Sequence, residues 1–353
     1  MNLKNLRQKI DSTDKKIVML LNQRAIIAGR VADFKLKHGQ SLYSPDRERE
    51  VLRKIAAGNP GPLTTGALEA VYREIMSAAL AQERPLSIAY LGPEATFTNL
   101  AAIKRFGSQV DYLACDGIAD VFLEVERSQA DYGVVPIENS IEGAVTHTLD
   151  MLIDSDLKIC AQVILDISHN LLANCPKLKI KRVYSNPQVF GQCRLWLEKN
   201  LARVDTIEVS STTRAAQIAS REKHSAAIAS LLAAKVYKLR VIASDIEDSP
   251  HNITRFLVIG KNETGATGED KTSIVFSIKD KVGALYDMLK PFKKYHINLT
   301  KIESRPSKKK AWDYYFFVDL EGHQGEPRVK KALTELENKC RFMKVLGSYP
   351  IGE

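Results

Sequence analysis

Disulfide and metal-site patterns are missing from this sequence. Its 5 cysteines, Cys115, Cys160, Cys175, Cys193 and Cys340, form no Cys-x-x-Cys pair and no ligand spacing. An odd, scattered set reads as free thiols in a reducing compartment. No apolar run follows Met1, so no signal peptide is expected. No stretch has the length and apolarity of a membrane-crossing helix. These absences point to a cytoplasmic protein that does not engage a membrane. Nucleic-acid motifs are also lacking. The formal charge of +9 favours anionic partners, but its cations are dispersed, and small acidic substrates account for it without nucleic acid. Lys308-Lys309-Lys310 reads as a solvated hairpin loop. With 353 residues, 44% hydrophobic and 26% charged, the chain has room for two or three globular domains.

What is present begins with a cation in an apolar seam. Leu6, Ile10, Thr13, Ile17, Leu20, Arg24, Ile27, Val31 and Phe34 alternate at steps of four and three, one face of a long helix. Arg24 lies in the middle of that face. A buried guanidinium keeps its proton and needs an anion beside it. No Asp or Glu shares the seam, so the anion comes from another helix, another subunit or a ligand. Arg7 and Lys35 flank the two ends. A second helical stretch starts near Pro45 and carries Asp46-Arg47-Glu48-Arg49-Glu50. A third runs from about Thr64 to Glu83, with Leu68, Val71, Ile75 and Ala79 as its stripe and Gln82 continuing it. Turned inward, Arg7, Arg24, Lys35, Arg47, Glu48 and Gln82 would make a small cationic pocket suited to a compact dicarboxylate. Taken alone, Arg7 and Arg47 are better read as surface ion pairs. A straight helix of roughly 50 Å cannot fold back on itself, so packing against its twin in a dimer is expected.

Leu6-Arg7-Gln8-Lys9-Ile10-Asp11, Arg24, Lys35, Asp46-Arg47-Glu48-Arg49 and Gln82 resemble the all-helical chorismate mutases. The resemblance covers about the first quarter of the chain. It implies that Arg7, Arg24 and Arg47 grip the carboxylates of chorismate. Lys35 and Gln82 would contact its ether oxygen, and Glu48 its ring hydroxyl. Ser44 and Ala78 depart from the family pattern, where an aspartate and a serine are common. The implied rearrangement to prephenate is pericyclic and calls for no nucleophile, metal or cofactor.

Two polar stretches divide the rest. Gln82 to Ser87 closes the helical module, and Lys261 to Lys271 reads KNETGATGEDK. The modules are therefore about 1–84, 86–260 and 271–349. In the middle one, strands at Leu86–Leu91, Tyr132–Ile137, Arg182–Tyr184 and Thr206–Val209 each run into a loop rich in hydroxyls and amides, then a helix. That is α/β architecture in two lobes, with the loops collecting at a cleft. For any single loop, ordinary helix capping is the better reading, and it is the four together that favour a cleft. Asn252-Ile253-Thr254-Arg255-Phe256, Val135-Pro136-Ile137-Glu138-Asn139-Ser140, Gly143, Ser185-Asn186-Pro187-Gln188 and Ala227-Ile228-Ala229-Ser230 resemble the prephenate dehydratases. That family implies a bilobal, periplasmic-binding-protein-like fold. Thr254 would assist departure of the ring hydroxyl. Glu138, Asn139, Ser140, Thr96, Ser185 and Phe256 would line the site, and Glu138 would be an acid only if burial raised its pKa. Arg255 would hold a carboxylate or support the lobe interface. Ala95 stands where a glycine is frequent and Asn99 where a histidine is frequent, both read as tolerated packing differences.

The last module reads strand, helix, strand, strand, helix, strand, an α+β ferredoxin-like pattern. The elements are Thr272–Ile278, Ala284–Tyr295, Asn298–Arg305, Trp312–Leu320, Pro327–Lys339 and Phe342–Ser348. It resembles an ACT regulatory domain. Gly283-Ala284-Leu285 and Glu303-Ser304-Arg305-Pro306 match the motifs that bind phenylalanine at a domain interface in that family. Together the resemblances imply a multidomain, bifunctional enzyme of phenylalanine biosynthesis, inhibited by phenylalanine and assembled as a homodimer or dimer of dimers. A ligand sensor without turnover is the contrasting reading, and turnover distinguishes them.

Overall fold

The computed structural model describes residues 2–38, 43–81, 86–278, 282–306 and 314–351. Gln82, Lys308-Lys309-Lys310 and Trp312 lie outside the described residues. The chain divides into two compact units, Met1–Ser87 with Phe106–Asp111, and Ile88–Arg105 with Tyr112–Glu353.

The first unit contains α1 (Leu3–Lys37), α2 (Pro45–Ala57) and α3 (Thr65–Ala81). The Asn2 side chain caps α1 by accepting from the Asn5 amide at 3.1 Å. Lys35 and Lys37 lie in its last turn, where cations suit the helix dipole. Pro45 opens α2, where no amide donor is required, and Asp46 and Glu48 fill its first turn. α2 packs on α3, and α1 touches α3. α1 itself buries none of its residues. Ile27 is 60% exposed and Phe34 59% exposed, so the apolar seam read from the sequence finds no cover among the described residues.

The second unit holds three sheets. The first contains β1 (Ser87–Leu91), β2 (Asp111–Cys115), β3 (Tyr132–Asn139), β4 (Gly143–Ala144), β5 (Lys158–Asp166) and β11 (Ile253–Gly260). Its order is β2-β1-β3-β11-β5, with β4 on β3. Helices α4 (Phe97–Phe106), α5 (Ile118–Glu126) and α6 (Thr146–Asp154) connect these strands. The second sheet contains β6 (Asn170–Ala173), β7 (Arg182–Ser185), β8 (Asp205–Glu208), β9 (Ser225–Ala229) and β10 (Arg240–Ala243), in the order β10-β6-β9-β7-β8. Its helices are α7 (Pro187–Gln192), α8 (Arg194–Leu201), α9 (Thr212–Arg221) and α10 (Leu231–Val236). The chain leaves the first sheet after Asp166 and returns before Ile253, so two crossings join two lobes.

The third sheet comprises β12 (Asp270–Ser277), β13 (Leu299–Pro306), β14 (Tyr314–Glu321) and β15 (Phe342–Pro350). Its helices are α11 (Ala284–Lys294) and α12 (Pro327–Glu337). The order β13-β14-β12-β15 is antiparallel throughout. One face of this sheet, with Ile274, Phe276, Val318 and Leu320, packs under the two helices. The other face contributes Val275, Phe317, Leu346 and Tyr349 to the core of the first lobe, beside Val135, Ile159 and Leu257. The segment expected to be a free linker is tied down. Thr264 is buried, its hydroxyl donates to the Cys160 carbonyl at 3.0 Å, and its own carbonyl lies 2.9 Å from His323 Nε2. The second and third modules therefore share a core.

Gly347 shows how close that junction is. A Cβ there would fall 2.2 Å from the Ile159 carbonyl oxygen and 2.8 Å from its amide nitrogen. Only glycine lets β15 lie against β5 at this distance. No helix among the described residues is long and apolar enough to cross a membrane. All five cysteines are free thiols. Burial pushes Cys160 up to about 12 and Cys115 up to about 11, so these two are poor nucleophiles.

Candidate active sites

In the helical unit, Arg24 and Lys35 are half-buried and Arg7 and Arg47 are exposed. The expectation of a fully buried Arg24 is not met within one chain, because the seam around it is itself open. Lys35 Nζ donates to Ser44 Oγ at 2.7 Å, which gives Ser44 a role at the position where the family pattern differs. Burial pulls the Lys35 amine below the ordinary lysine range, against the opposing pull of Asp46. Glu48 is buried on α2. Arg47 pairs with Glu50 at 2.5 Å, and Glu50 also takes Lys54 at 2.5 Å. Arg7 and Arg24 lie 17 positions apart on one straight helix, about 25 Å at 1.5 Å per residue. One chain cannot bring both to the same compact anion.

In the second unit, Asn139 ends β3 directly opposite Thr254 on β11. The backbone fixes the orientation of its amide. Asn139 Oδ1 accepts from the amides of Ile141 at 2.9 Å and Glu142 at 3.0 Å, so oxygen must face that turn. Nδ2 then donates to Thr254 Oγ1 at 2.8 Å and to Asn252 Oδ1 at 2.7 Å. All four hydrogen-bonding positions of the amide are occupied. The polarity propagates. Asn252 Nδ2 donates to Gln192 Oε1 at 3.2 Å, so His169, whose Nε2 lies 2.8 Å from that oxygen, must carry its proton on Nε2. Burial depresses the His169 imidazole, against the opposing effects of Gln192 and Glu247. Because Thr254 Oγ1 accepts from Asn139, its own hydrogen is left to point elsewhere.

This network gathers residues from both crossings and both lobes. Asn252 belongs to a quoted motif, whereas Gln192 and His169 are single residues with no spacing to mark them. Ser140 Oγ donates to the His251 carbonyl and accepts from the Ile253 amide, both at 2.9 Å, which pins β3 to the start of β11.

Three of the expected loop residues serve local structure. Thr96 Oγ1 accepts from the Asn99 amide at 3.3 Å, Asn186 caps α7, and Ser211 caps α9. Ser185 is fully buried, donating to the Ile228 carbonyl at 3.0 Å, and Phe256 is core. Ala95 is more than a packing difference. Its φ is 69°, a left-handed conformation that costs alanine about 1 kcal/mol and glycine nothing. Asn99 Oδ1 accepts from the Ala95 amide at 3.0 Å and the Ser230 hydroxyl donates to its carbonyl at 3.1 Å. Asn99 thus holds the strained turn.

Glu138 and Arg255 face away from Thr254 and Asn139. They are partners in the β3–β11 register one step further on, so strand alternation sends them to the opposite face. There Glu138 pairs with Lys301 at 2.8 Å and lies 3.8 Å from Arg255. Arg255 pairs with Asp319 at 2.5 Å and donates to Tyr349 Oη at 2.8 Å. Neither reaches the Asn139–Thr254 network: Glu138 is ion-paired on the far face, and Arg255 supports the junction with the third sheet.

In the third sheet, Gly283 caps α11 in a left-handed conformation, φ 76°, with Ala284 buried and Leu285 exposed behind it. Register sets Arg305 beside Tyr315 and Tyr315 beside Ser277. The Glu303-Ser304-Arg305 segment therefore lies at the end of the sheet from which α11 departs. Arg305 reaches Asp150 of α6 at 3.0 Å.

Three family models match in chain order: chorismate mutase type II over residues 6–84, prephenate dehydratase over 88–264 and the ACT domain over 272–338. A bifunctional chorismate mutase/prephenate dehydratase of Aquifex aeolicus is 52% identical over 353 residues, covering 99% of this chain and 98% of the relative. A prephenate dehydratase of Methanocaldococcus jannaschii is 40% identical, covering 75% of this chain and 98% of its own. Among solved structures, a prephenate dehydratase from Arthrobacter aurescens in complex with L-Phe is 33% identical with a TM-score of 0.70, covering 75% of this chain and 90% of that one.

Proposed function

The chain belongs to the bifunctional chorismate mutase/prephenate dehydratase family, and we propose that its two reactions run at two separate sites, one in each unit. The protein rearranges chorismate to prephenate, converts prephenate to phenylpyruvate with loss of carbon dioxide and water, and is inhibited by phenylalanine.

The mutase site draws on two copies of α1. Arg24, Lys35, Arg47 and Glu48 come from one chain and Arg7 from its twin, because the 25 Å between Arg7 and Arg24 (about, from the helix rise) cannot close within one helix. The same pairing would cover Ile27, Val31 and Phe34, which are exposed in the single chain. Gln82 would complete the set. Fixed cations select the folded substrate conformer and stabilise charge on the breaking ether oxygen. A homodimer, or a dimer of dimers, follows from this reading, and the cytoplasm is its expected location.

The dehydratase site is the cleft at Thr254 and Asn139, in a bilobal fold of the binding-protein kind. The observation that carries this reading is the direction of the Asn139 to Thr254 hydrogen bond. It leaves the threonine hydrogen available to the departing ring hydroxyl. As the ring carboxylate leaves as carbon dioxide, its bonding electrons enter the ring and expel that hydroxyl, which becomes water on taking up a proton. Aromatisation drives the step, and donors at the leaving oxygen lower its barrier. Phenylalanine binds the ferredoxin-like third module at Gly283, Ala284 and Leu285 with Glu303, Ser304 and Arg305.

The two sites are separated by crossed substitutions. Arg24→Ala should abolish chorismate turnover and spare prephenate turnover, and Thr254→Ala should do the reverse. Equal loss of both activities in either folded variant contradicts separate sites.

A further inference from the structure

The face of the third sheet that meets the first lobe carries a charged cluster inside an otherwise apolar junction. Arg255 Nη1 and Asp319 Oδ2 are 2.5 Å apart, Arg255 Nη2 donates to Tyr349 Oη, and Ser273 bridges Asp319 at 2.5 Å and Tyr349 at 2.6 Å. Lys301 closes on Glu138 at 2.8 Å, and Glu138 lies 3.8 Å from Arg255. Arg255, Asp319 and Lys301 are largely buried, so their charges depend on one another, while Glu138 stands at the solvent edge, 38% exposed. A small cavity adjoins them, lined by Ile137, Leu149, Arg255, Lys301 and Asp319 among others.

The position of this cluster in the chain matters. Arg255 follows Thr254, and Glu138 precedes Asn139, so each cluster residue is the backbone neighbour of a cleft residue on the opposite face of the strand. On the other side, Lys301 and Asp319 are register partners on β13 and β14. Lys301, Glu303 and Arg305 share one face of β13, and both cations reach the first lobe, at Glu138 and Asp150. Any displacement of β13 is therefore felt at Glu138 through its pair with Lys301, and at Arg255 through Asp319, the register partner of Lys301. From there one peptide unit separates it from Asn139 and Thr254.

We propose that Asp319, Tyr349 and Lys301 are positioning residues for the dehydratase site, acting through Arg255 and Glu138, and that this cluster transmits phenylalanine binding to it. The proposal rests on the reading that phenylalanine binds the third module. The cluster sets where Thr254 and Asn139 sit in the cleft. Phenylalanine, by shifting β13, rearranges the ion pairs into the adjoining cavity and moves both strands together. The third module is then part of the dehydratase framework as well as its sensor.

The test uses the full-length protein with Asp319→Asn and Tyr349→Phe. Three quantities are read for each: prephenate turnover with and without phenylalanine, chorismate turnover, and phenylalanine binding by calorimetry. Chorismate turnover should match wild type, and the stoichiometry of phenylalanine binding, with far-UV circular dichroism, counts the folded second unit. Phenylalanine should still bind. Dehydratase kcat should fall about 10- to 100-fold with little change in KM, as for a displaced catalytic group. The remaining activity should respond to saturating phenylalanine by less than about twofold. If Asp319→Asn does not fold, Tyr349→Phe decides, since it removes a single hydroxyl. Wild-type kcat and wild-type inhibition in the folded variants, with only a lower melting temperature, overturn the proposal. Failure of the wild-type chain to bind phenylalanine overturns both it and the reading beneath it. Full activity in Thr254→Ala overturns the placement of the site.

Discussion

Asn139→Asp probes the direction of the cleft network with almost no change of shape. Asn139 Nδ2 donates at 2.8 Å to Thr254 and at 2.7 Å to Asn252, and an ionised carboxylate donates nothing. The turn at Ile141 and Glu142 survives, because a carboxylate still accepts from both amides. Asn252 cannot repair its contact by rotating, since that would set its oxygen against Gln192 Oε1, 3.2 Å from its present nitrogen. Thr254 can turn, and it will point its hydrogen at the new carboxylate. That withdraws the proton from the departing hydroxyl. Loss of one donor aimed at developing charge costs about 100- to 1000-fold in kcat. The oxygen–oxygen contact left at Asn252 costs about 1–3 kcal/mol of stability. The assay is phenylpyruvate formation from prephenate, with phenylalanine-binding stoichiometry in the same preparation as the measure of folded second unit. Dehydratase kcat within about threefold of wild type, well short of the expected loss, would refute the argument from hydrogen-bond direction.

Two further outcomes follow from the packing and from the buried histidine. Gly347→Ala drives a Cβ into the Ile159 backbone, so β15 must separate from β5. The second unit should lose about 1–3 kcal/mol, seen as a lower urea midpoint, while chorismate turnover holds. The buried His169 has a depressed pKa, because burial outweighs Gln192 and Glu247. Below about pH 6.5 the unfolded chain takes up a proton that the folded chain does not. Stability should therefore fall as pH drops through that value, by at most about 1.4 kcal/mol per pH unit, and level off above it. His169→Asn should flatten that dependence, and a midpoint that rises on acidification would contradict it.

Much of the architecture is written locally. The elements of the third module fall within a few residues of those expected, because its strands and helices differ in period and are separated by turns. The four loops of the middle module are legible too, although capping accounts for three of them. Period-two alternation in β3 and β11 also carries information that composition hides. It separates Glu138 from Asn139 and Arg255 from Thr254, so a run of polar residues lines two faces, not one. Arg24 fails the burial expectation for another reason: no surface among the described residues covers its seam. The need for glycine at position 347 is invisible locally, since the atoms it avoids belong to Ile159. Gln192 and His169 join the Asn139–Thr254 network only through the two crossings, which no local pattern announces.

The most direct test follows chorismate consumption and phenylpyruvate formation by the purified full-length protein, with and without phenylalanine. Phenylpyruvate should appear from chorismate, and its formation should fall when phenylalanine is added. Prephenate accumulating without phenylpyruvate, or a rate indifferent to phenylalanine, would contradict an account of two active sites under the control of the third module.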